Sequence, residues 1–241
     1  MFTNNLKKSG LVLVAMLSLL LLTSAASFAN SQSEKRRLPS ARTPSLTRTQ
    51  IKKAHDRLSE MGYGTGQQAL IAFQKYEGRE VTGRLNAAEL DAIMNAQPPE
   101  AKDQGYRHVE VDLDRQVLLL TDDQGTVTRV LPVSTGSNKQ YREKGASGLA
   151  YTPRGRFKVY AKIAGWRKSP LGLLYYPNYF SDGLAIHGNP SVPQSPQSHG
   201  CIRIPMSQAV EMARQTPVGT IVLIYDSKSF VSARDWGLPR E

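Results

Sequence analysis

Two hydrophobic periodicities divide the chain. Between residues 47 and 95 apolar positions recur every three or four residues, the repeat that lines one face of a helix. Ile51, His55, Leu58 and Met61 fall on one such face; Thr47 and Gln50 form a T-x-x-Q capping box that starts the helix, and Gly62 stops it. Leu70, Phe73 and Tyr76 mark a second helix, and Asn86 with Glu89 caps a third that carries Leu90 and Ile93. The spacing therefore predicts a small three-helix module over residues 47–99, with a core too thin to be an enzyme by itself.

After a proline-containing joint at 97–100 the repeat shortens from helical to alternating. His108, Val109, Glu110, Val111, Asp112 and Leu113 alternate strictly, residues 116–121 and 127–134 read as the next two strands, and Asp122 to Gly125 supply turn chemistry between them. Further strands are expected at 156–163, 171–176, 184–187 and 220–225, with one helix at 206–214. The predicted class is α+β: a mainly antiparallel, β-rich domain over 104–226, sandwich-like, preceded by the three-helix module.

The ends carry signals of another kind. Lys7 and Lys8 precede an apolar run at 11–22, and small residues at Ser27 and Ala29 follow it, the pattern of a secretory signal peptide over 1–29. The run is shorter than the roughly 20 residues a spanning helix needs, so no stable membrane anchor is expected after cleavage. Residues 30–46, rich in Ser, Pro, Thr and Arg, have the composition of a solvated tether, and 227–241 form a C-terminal tail. The expected location is outside the cytoplasm, in a periplasm or cell wall.

Charge is concentrated in the same region. The 241 residues carry 31 Lys and Arg against 20 Asp and Glu, net +11, but seven of the basic residues and one acid lie between Glu34 and Lys53. The part after residue 54 is close to balance, which argues against a nucleic-acid groove; the basic tether fits an anionic wall polymer or lipid. There is one cysteine, Cys201, so no disulfide can form within the chain.

Candidate chemistry falls in one stretch, 186–203. It holds His187, Gly188, His199, Gly200 and Cys201, with three prolines limiting the freedom of the loop between its halves. A thiol with an ordinary pKa near roughly 8.5 is mostly protonated at neutral pH, so a catalytic cysteine needs an imidazole; both His187 and His199 are candidates. Gly200 beside Cys201 allows a tight turn with backbone N–H groups facing a developing oxyanion. One Cys and two His with no nearby acidic partner match a zinc site poorly, so no metal is expected.

His187-Gly188 followed by Ser198-His199-Gly200-Cys201 resembles the signature of the L,D-transpeptidase (YkuD-type) catalytic domain. Thr152-Pro153-Arg154-Gly155-Arg156-Phe157 is similar to that family's TPxGxF turn, and Pro217-Val218-Gly219-Thr220 to the approach to its last strand. Arg57-Leu58, Gly62-Tyr63, Ala69 to Gln74, Thr82-Gly83 and Leu90 resemble the peptidoglycan-binding type 1 module; a helical spacer packed on the enzyme is the alternative. The first resemblance implies a thiol nucleophile at Cys201, a general base at His187 oriented by the Gly188 carbonyl, and an oxyanion hole from the N–H groups of Gly200 and Cys201. His199 would shape the site, and Arg203 would bind a peptide carboxylate. Ser198 and Tyr179 are the remaining substrate-binding candidates, the latter within an aromatic wall that includes Tyr175, Tyr176 and Phe180.

The implied substrate is a peptidoglycan stem tetrapeptide. Its acyl group would pass through a thioester, with loss of D-alanine, to an amine of a neighbouring stem, with no cofactor required. A hydrolase on the same site, such as an L,D-carboxypeptidase, and a non-catalytic wall-binding protein are the alternatives.

Overall fold

The computed structural model describes residues 45–229. The proposed signal peptide, the tether except its last two residues, and the tail beyond 229 lie outside the described residues. Three helices come first: α1 (Arg48–Glu60), α2 (Gly66–Tyr76) and α3 (Ala87–Asn95). The capping box at the start of α1 forms in both directions, the Thr47 hydroxyl accepting the Gln50 N–H at 3.2 Å and the Gln50 side chain accepting the Thr47 N–H at 2.9 Å. The Asn86 side chain accepts the Glu89 N–H at 2.9 Å, as its spacing predicts for α3. The buried stripe of α1 runs through Ala54 and Leu58 on to Met61, whereas Ile51, expected on that face, is 39% exposed. Ile51 sits in the first turn of α1, ahead of the first buried position, Ala54.

The strands are β1 (His108–Asp112), β2 (Val117–Thr121), β3 (Val127–Pro132), β4 (Gln140–Glu143), β5 (Ala146–Leu149), β6 (Gly155–Lys158), β7 (Ala161–Lys162), β8 (Trp166–Ser169), β9 (Gly172–Ser181), β10 (Leu184–Asn189), β11 (Ile202–Pro205) and β12 (Ile221–Tyr225), with α4 (Met206–Gln215) before the last. One sheet has the order β3-β2-β1-β12-β6; the other runs β11-β10-β9-β7, with β8 also paired to β9; β4 and β5 form a separate two-stranded arm. Most pairings are antiparallel, but β1–β12 and β10–β11 are parallel. The stretch expected as one strand at 156–163 is two, β6 in the first sheet and β7 in the second, so the chain changes sheets there. β4, β5, β8 and β11 were not legible from periodicity: all four are short, four residues each.

β2 explains the architecture. All five of its residues are buried, which requires cover on both faces. Leu118 and Leu120 enter the core between the two sheets with Val109, Val111, Ile186, Ile202, Ile224 and Met212 of α4. Val117 and Leu119, with Val130, enter a second core shared with Leu58, Phe73 and Ile93 of the helices. The helical segment thus completes its thin core on the outer face of the first sheet, and the described residues 45–229 belong to one compact unit. At roughly 1.5–3 kcal/mol per fully buried large apolar side chain, this shared core is a substantial part of what holds the helices.

The polar alternate positions of β1 do not face water. His108 and Glu110 are completely buried, and the Glu110 carboxylate accepts the backbone N–H groups of Lys102 (3.0 Å) and Asp103 (2.8 Å) and the Tyr225 hydroxyl (2.9 Å), with His108 Nε2 at 3.1 Å. These bonds compensate the buried carboxylate and fasten the segment that joins α3 to β1. No helix among the described residues is long and apolar enough to cross a membrane.

Candidate active site

Cys201 is placed by the strand it precedes. β10 and β11 run parallel in register, Ile186 beside Ile202 and His187 beside Arg203. Ile186 and Ile202 point into the core between the sheets. Side chains alternate along a strand, so Ala185, His187, Cys201 and Arg203 share the opposite face. The loop between the two strands, with its prolines, brings the two halves of the motif together.

His187 is 3% exposed and its Nδ1 lies 3.0 Å from the Gly188 carbonyl oxygen. A carbonyl only accepts, so Nδ1 carries the proton and Nε2 is the basic nitrogen. Burial holds the imidazole pKa down at about 4, against the Gly188 hydrogen bond, which raises it; the Arg203 guanidinium pushes it down further. His187 is therefore neutral at neutral pH. Gly188 is required by packing: a Cβ there would come within 2.7 Å of the Ala209 Cβ on α4 and 3.1 Å of Tyr175.

Cys201 is partly exposed. Burial pushes its thiol pKa up, while a backbone hydrogen bond with Ala185 and the charge of Arg203 act in the opposite direction. The resting pair is a neutral thiol and a neutral imidazole, which suits proton transfer during attack more than a standing thiolate.

The loop is braced from three sides. The Ser198 hydroxyl donates to the Cys201 carbonyl and accepts the Gly200 N–H at 3.0 Å. The Thr152 hydroxyl, from the TPxGxF segment, donates to the Gly200 carbonyl at 2.8 Å and accepts the Gly136 N–H at 2.8 Å. Ser134 and Arg203 exchange backbone hydrogen bonds at 3.0 and 3.1 Å, and Ser198 donates its N–H to Thr135 at 2.9 Å. Gly200 has φ +138°, and a Cβ there would stand 2.7 Å from the Tyr151 carbonyl oxygen, so glycine is obligatory.

Two expectations change. Ser198 is 2% exposed with its hydroxyl engaged inside the loop, so it braces the nucleophile's turn instead of meeting substrate. The Gly200 N–H is already given to that hydroxyl, which leaves the Cys201 N–H, without a hydrogen bond among the described residues, as the loop's donor toward an oxyanion.

The other candidates take distinct places. His199 pairs through Nε2 with Glu143 of the β4–β5 arm, and the Tyr141 ring meets it edge-on, centroids 4.7 Å apart. Arg203 is partly buried, and its guanidinium makes no side-chain hydrogen bond or ion pair among the described residues, its charge acting on Cys201. Tyr179 lies opposite Ala185 on β9, on the face that carries Cys201, with Tyr160 beside it at 6.2 Å between centroids. The expected aromatic wall is divided: Phe180 is core against Phe157, while Tyr175 lies between Trp166, to which it is tilted, and Tyr176, which it meets edge-on. Glu143 and Tyr141 had no local signal in the sequence, because only the fold carries the arm to the motif.

Among the described residues no group of three or more His, Cys, Asp or Glu is placed to hold a metal ion. A cavity of about 230 Å³ lies elsewhere, lined by Tyr63, Thr65, Arg129 and Gln208 among others, and includes no residue of the Cys201 loop.

Comparison with known proteins identifies the family. A crystal structure of an L,D-transpeptidase (residues 123–326) from Xylanimonas cellulosilytica DSM 15894 is 35% identical, covers 73% of this chain and 92% of its own, and superposes with a TM-score of 0.66. An L,D-transpeptidase from Stackebrandtia nassauensis is 23% identical over 76% of this chain and 95% of its own, TM-score 0.45, and one from Mycobacterium smegmatis is 23% identical over 49% and 58%, TM-score 0.40. A search of curated proteins gave no match. The family model of the L,D-transpeptidase catalytic domain (YkuD) matches residues 106–224, beginning after the helices and spanning both sheets and the whole Cys201 loop. With the identity to the Xylanimonas enzyme extending over nearly all of that chain, this protein belongs to the YkuD family of L,D-transpeptidases.

Proposed function

We propose that the chain is an exported cysteine L,D-transpeptidase that crosslinks peptidoglycan stem peptides. The observation that carries this reading is the His187 imidazole, neutral and fixed by the Gly188 carbonyl, on the strand in register with the one that Cys201 immediately precedes. Cys201 attacks the carbonyl of the third stem residue as its thiol proton passes to His187 Nε2, and the Cys201 N–H supports the oxyanion. His187 then protonates the leaving D-alanine nitrogen, the C–N bond breaks and a thioacyl enzyme remains. An acceptor amine attacks the thioester, the C–S bond breaks, and a proton returns through His187 to the sulfur. The exchanged amide supplies the energy, so the cycle uses this chain's own groups.

Arg203, two residues beyond Cys201 and with no ion pair among the described residues, suits the terminal carboxylate of the donor peptide. The signal sequence pattern and the basic tether support action in a periplasm or cell wall, with the tether near anionic wall polymer. The test is incubation of the mature protein and its Cys201→Ala variant with purified disaccharide-tetrapeptides, followed by intact mass. A crosslinked dimer with loss of D-alanine, absent in the variant, is expected. Tripeptide alone would make the protein an L,D-carboxypeptidase, and no Cys201-dependent product would overturn the substrate assignment.

A further inference from the structure

The β4–β5 arm belongs to neither main sheet, yet it reaches the nucleophile's loop. Tyr141 and Glu143 are two residues apart on β4 and so lie on one face, and both meet His199. His199 is two residues before Cys201, a span of at most about 7 Å. The Glu143 side chain is 46% exposed and that of His199 26%. Even a full ion pair this exposed contributes only about 0–1 kcal/mol, so stability does not account for a carboxylate brought to this point. His199 takes Glu143 Oε1, and Oε2 has no partner among the described residues. Two opposite charges therefore flank the nucleophile along the loop: the guanidinium of Arg203 is carried two residues after Cys201, and the carboxylate of Glu143 meets His199 two residues before it.

We infer that Glu143 binds the ammonium group of the acyl acceptor and selects cationic amines for transfer. This rests on the transpeptidase reading above: a donor carboxylate at Arg203 leaves the His199 end of the loop, where Glu143 stands, for the acceptor. The ammonium seats on Glu143 Oε2 and loses one proton to solvent along the exposed edge of His199. The neutral amine then attacks the thioester carbon, so that a C–N bond forms and the C–S bond breaks. A second N–H proton passes through His187 to the Cys201 sulfur. In sum, thioacyl enzyme and ammonium give amide, free thiol and one released proton.

The test reads one ratio from one acyl enzyme. Wild type, Glu143→Gln and Glu143→Asp are acylated either by tetrapeptide or by an activated thioester of the corresponding tripeptide. They are then offered a lysine-containing tripeptide, whose side chain is an ammonium at pH 7.5, or hydroxylamine, which is uncharged there; amide and hydroxamate products are quantified by mass. Glu143→Gln is expected to lower the amide-to-hydroxamate ratio about tenfold, and Glu143→Asp to restore most of it. An unchanged ratio, or equal slowing of both nucleophiles, would overturn the inference, since a residue that only positions His199 has no reason to distinguish acceptor charge. If tetrapeptide fails to load the wild type, the donor assignment fails, and the thioester-loaded enzyme still decides the role of Glu143.

Discussion

The Gly188 carbonyl holds the Nδ1–H of His187 at 3.0 Å, one residue along its own strand, and thereby leaves Nε2 as the unprotonated nitrogen, the one free to take a proton. Because burial keeps this imidazole neutral down to about pH 4, kcat/KM for acylation should stay level from pH 7 to about 5 and fall by half near 4. His187→Gln should slow acylation by on the order of a hundredfold or more. An acid limb near 6.5 in stopped-flow acylation would contradict the buried neutral base.

The same shift has a consequence for folding. The unfolded chain takes up a proton on His187 between pH 6.5 and about 4, and the folded chain does not. Stability present above 6.5 is therefore lost as pH falls through this window, by about 3 kcal/mol at most. Urea titrations of wild type and His187→Gln at pH 7 and pH 4.5 should converge at the acid end.

Cys201 should react with iodoacetamide more slowly in the folded protein than in the denatured chain at pH 7, because burial raises its thiol pKa. This reverses the expectation of an activated thiol that its neighbours in sequence encourage. Mass-resolved alkylation across pH 6–10 checks it, and a folded-state midpoint below that of the denatured thiol would show a standing thiolate.

Gly200→Ala should cost about 2–3 kcal/mol, since the residue adopts φ +138° and a Cβ would meet the Tyr151 carbonyl oxygen at 2.7 Å. The turn that carries Cys201 would shift with it. A loss in Tm accompanied by a larger loss in acylation is the expected pair of results; wild-type acylation would show that the turn absorbs the methyl group.

Lys75 on α2 is buried and donates to the Val133 carbonyl at 2.8 Å, directly before Ser134, which pairs with Arg203. Burial lowers its pKa from 10.5 to about 8. Between these values the unfolded chain binds the extra proton, so stability rises as pH climbs from 8 to 10.5 and the cost of the buried charge is lifted. Relative to Lys75→Met, wild type should gain up to about 3 kcal/mol over that window. Denaturant melts of both proteins at pH 7.5 and 10.5 measure the difference.

Much of the fold was legible because local rules were sufficient. The Thr47–Gln50 box, the Asn86 cap and the alternation of 108–113 depend on neighbours within a few residues, and the elements they predict are present. The motif around Cys201 was legible for the same reason: His-Gly and Ser-His-Gly-Cys are chemistry written contiguously. What the sequence by itself determined is thus the family and the β-rich class, and it set the candidate nucleophile and base in one contiguous motif. Tertiary structure decided the rest. The burial of β1's polar alternation depends on the chain segment laid over it, and the fully buried β2 on two cores meeting at one strand. Ser198 became a brace because its hydroxyl found the Gly200 N–H and the Cys201 carbonyl, and Glu143 joined the site because an arm more than fifty residues earlier folds onto His199. Hydrogen-bond partners, desolvation and charge fields act through space, so they are fixed only when distant segments are brought together.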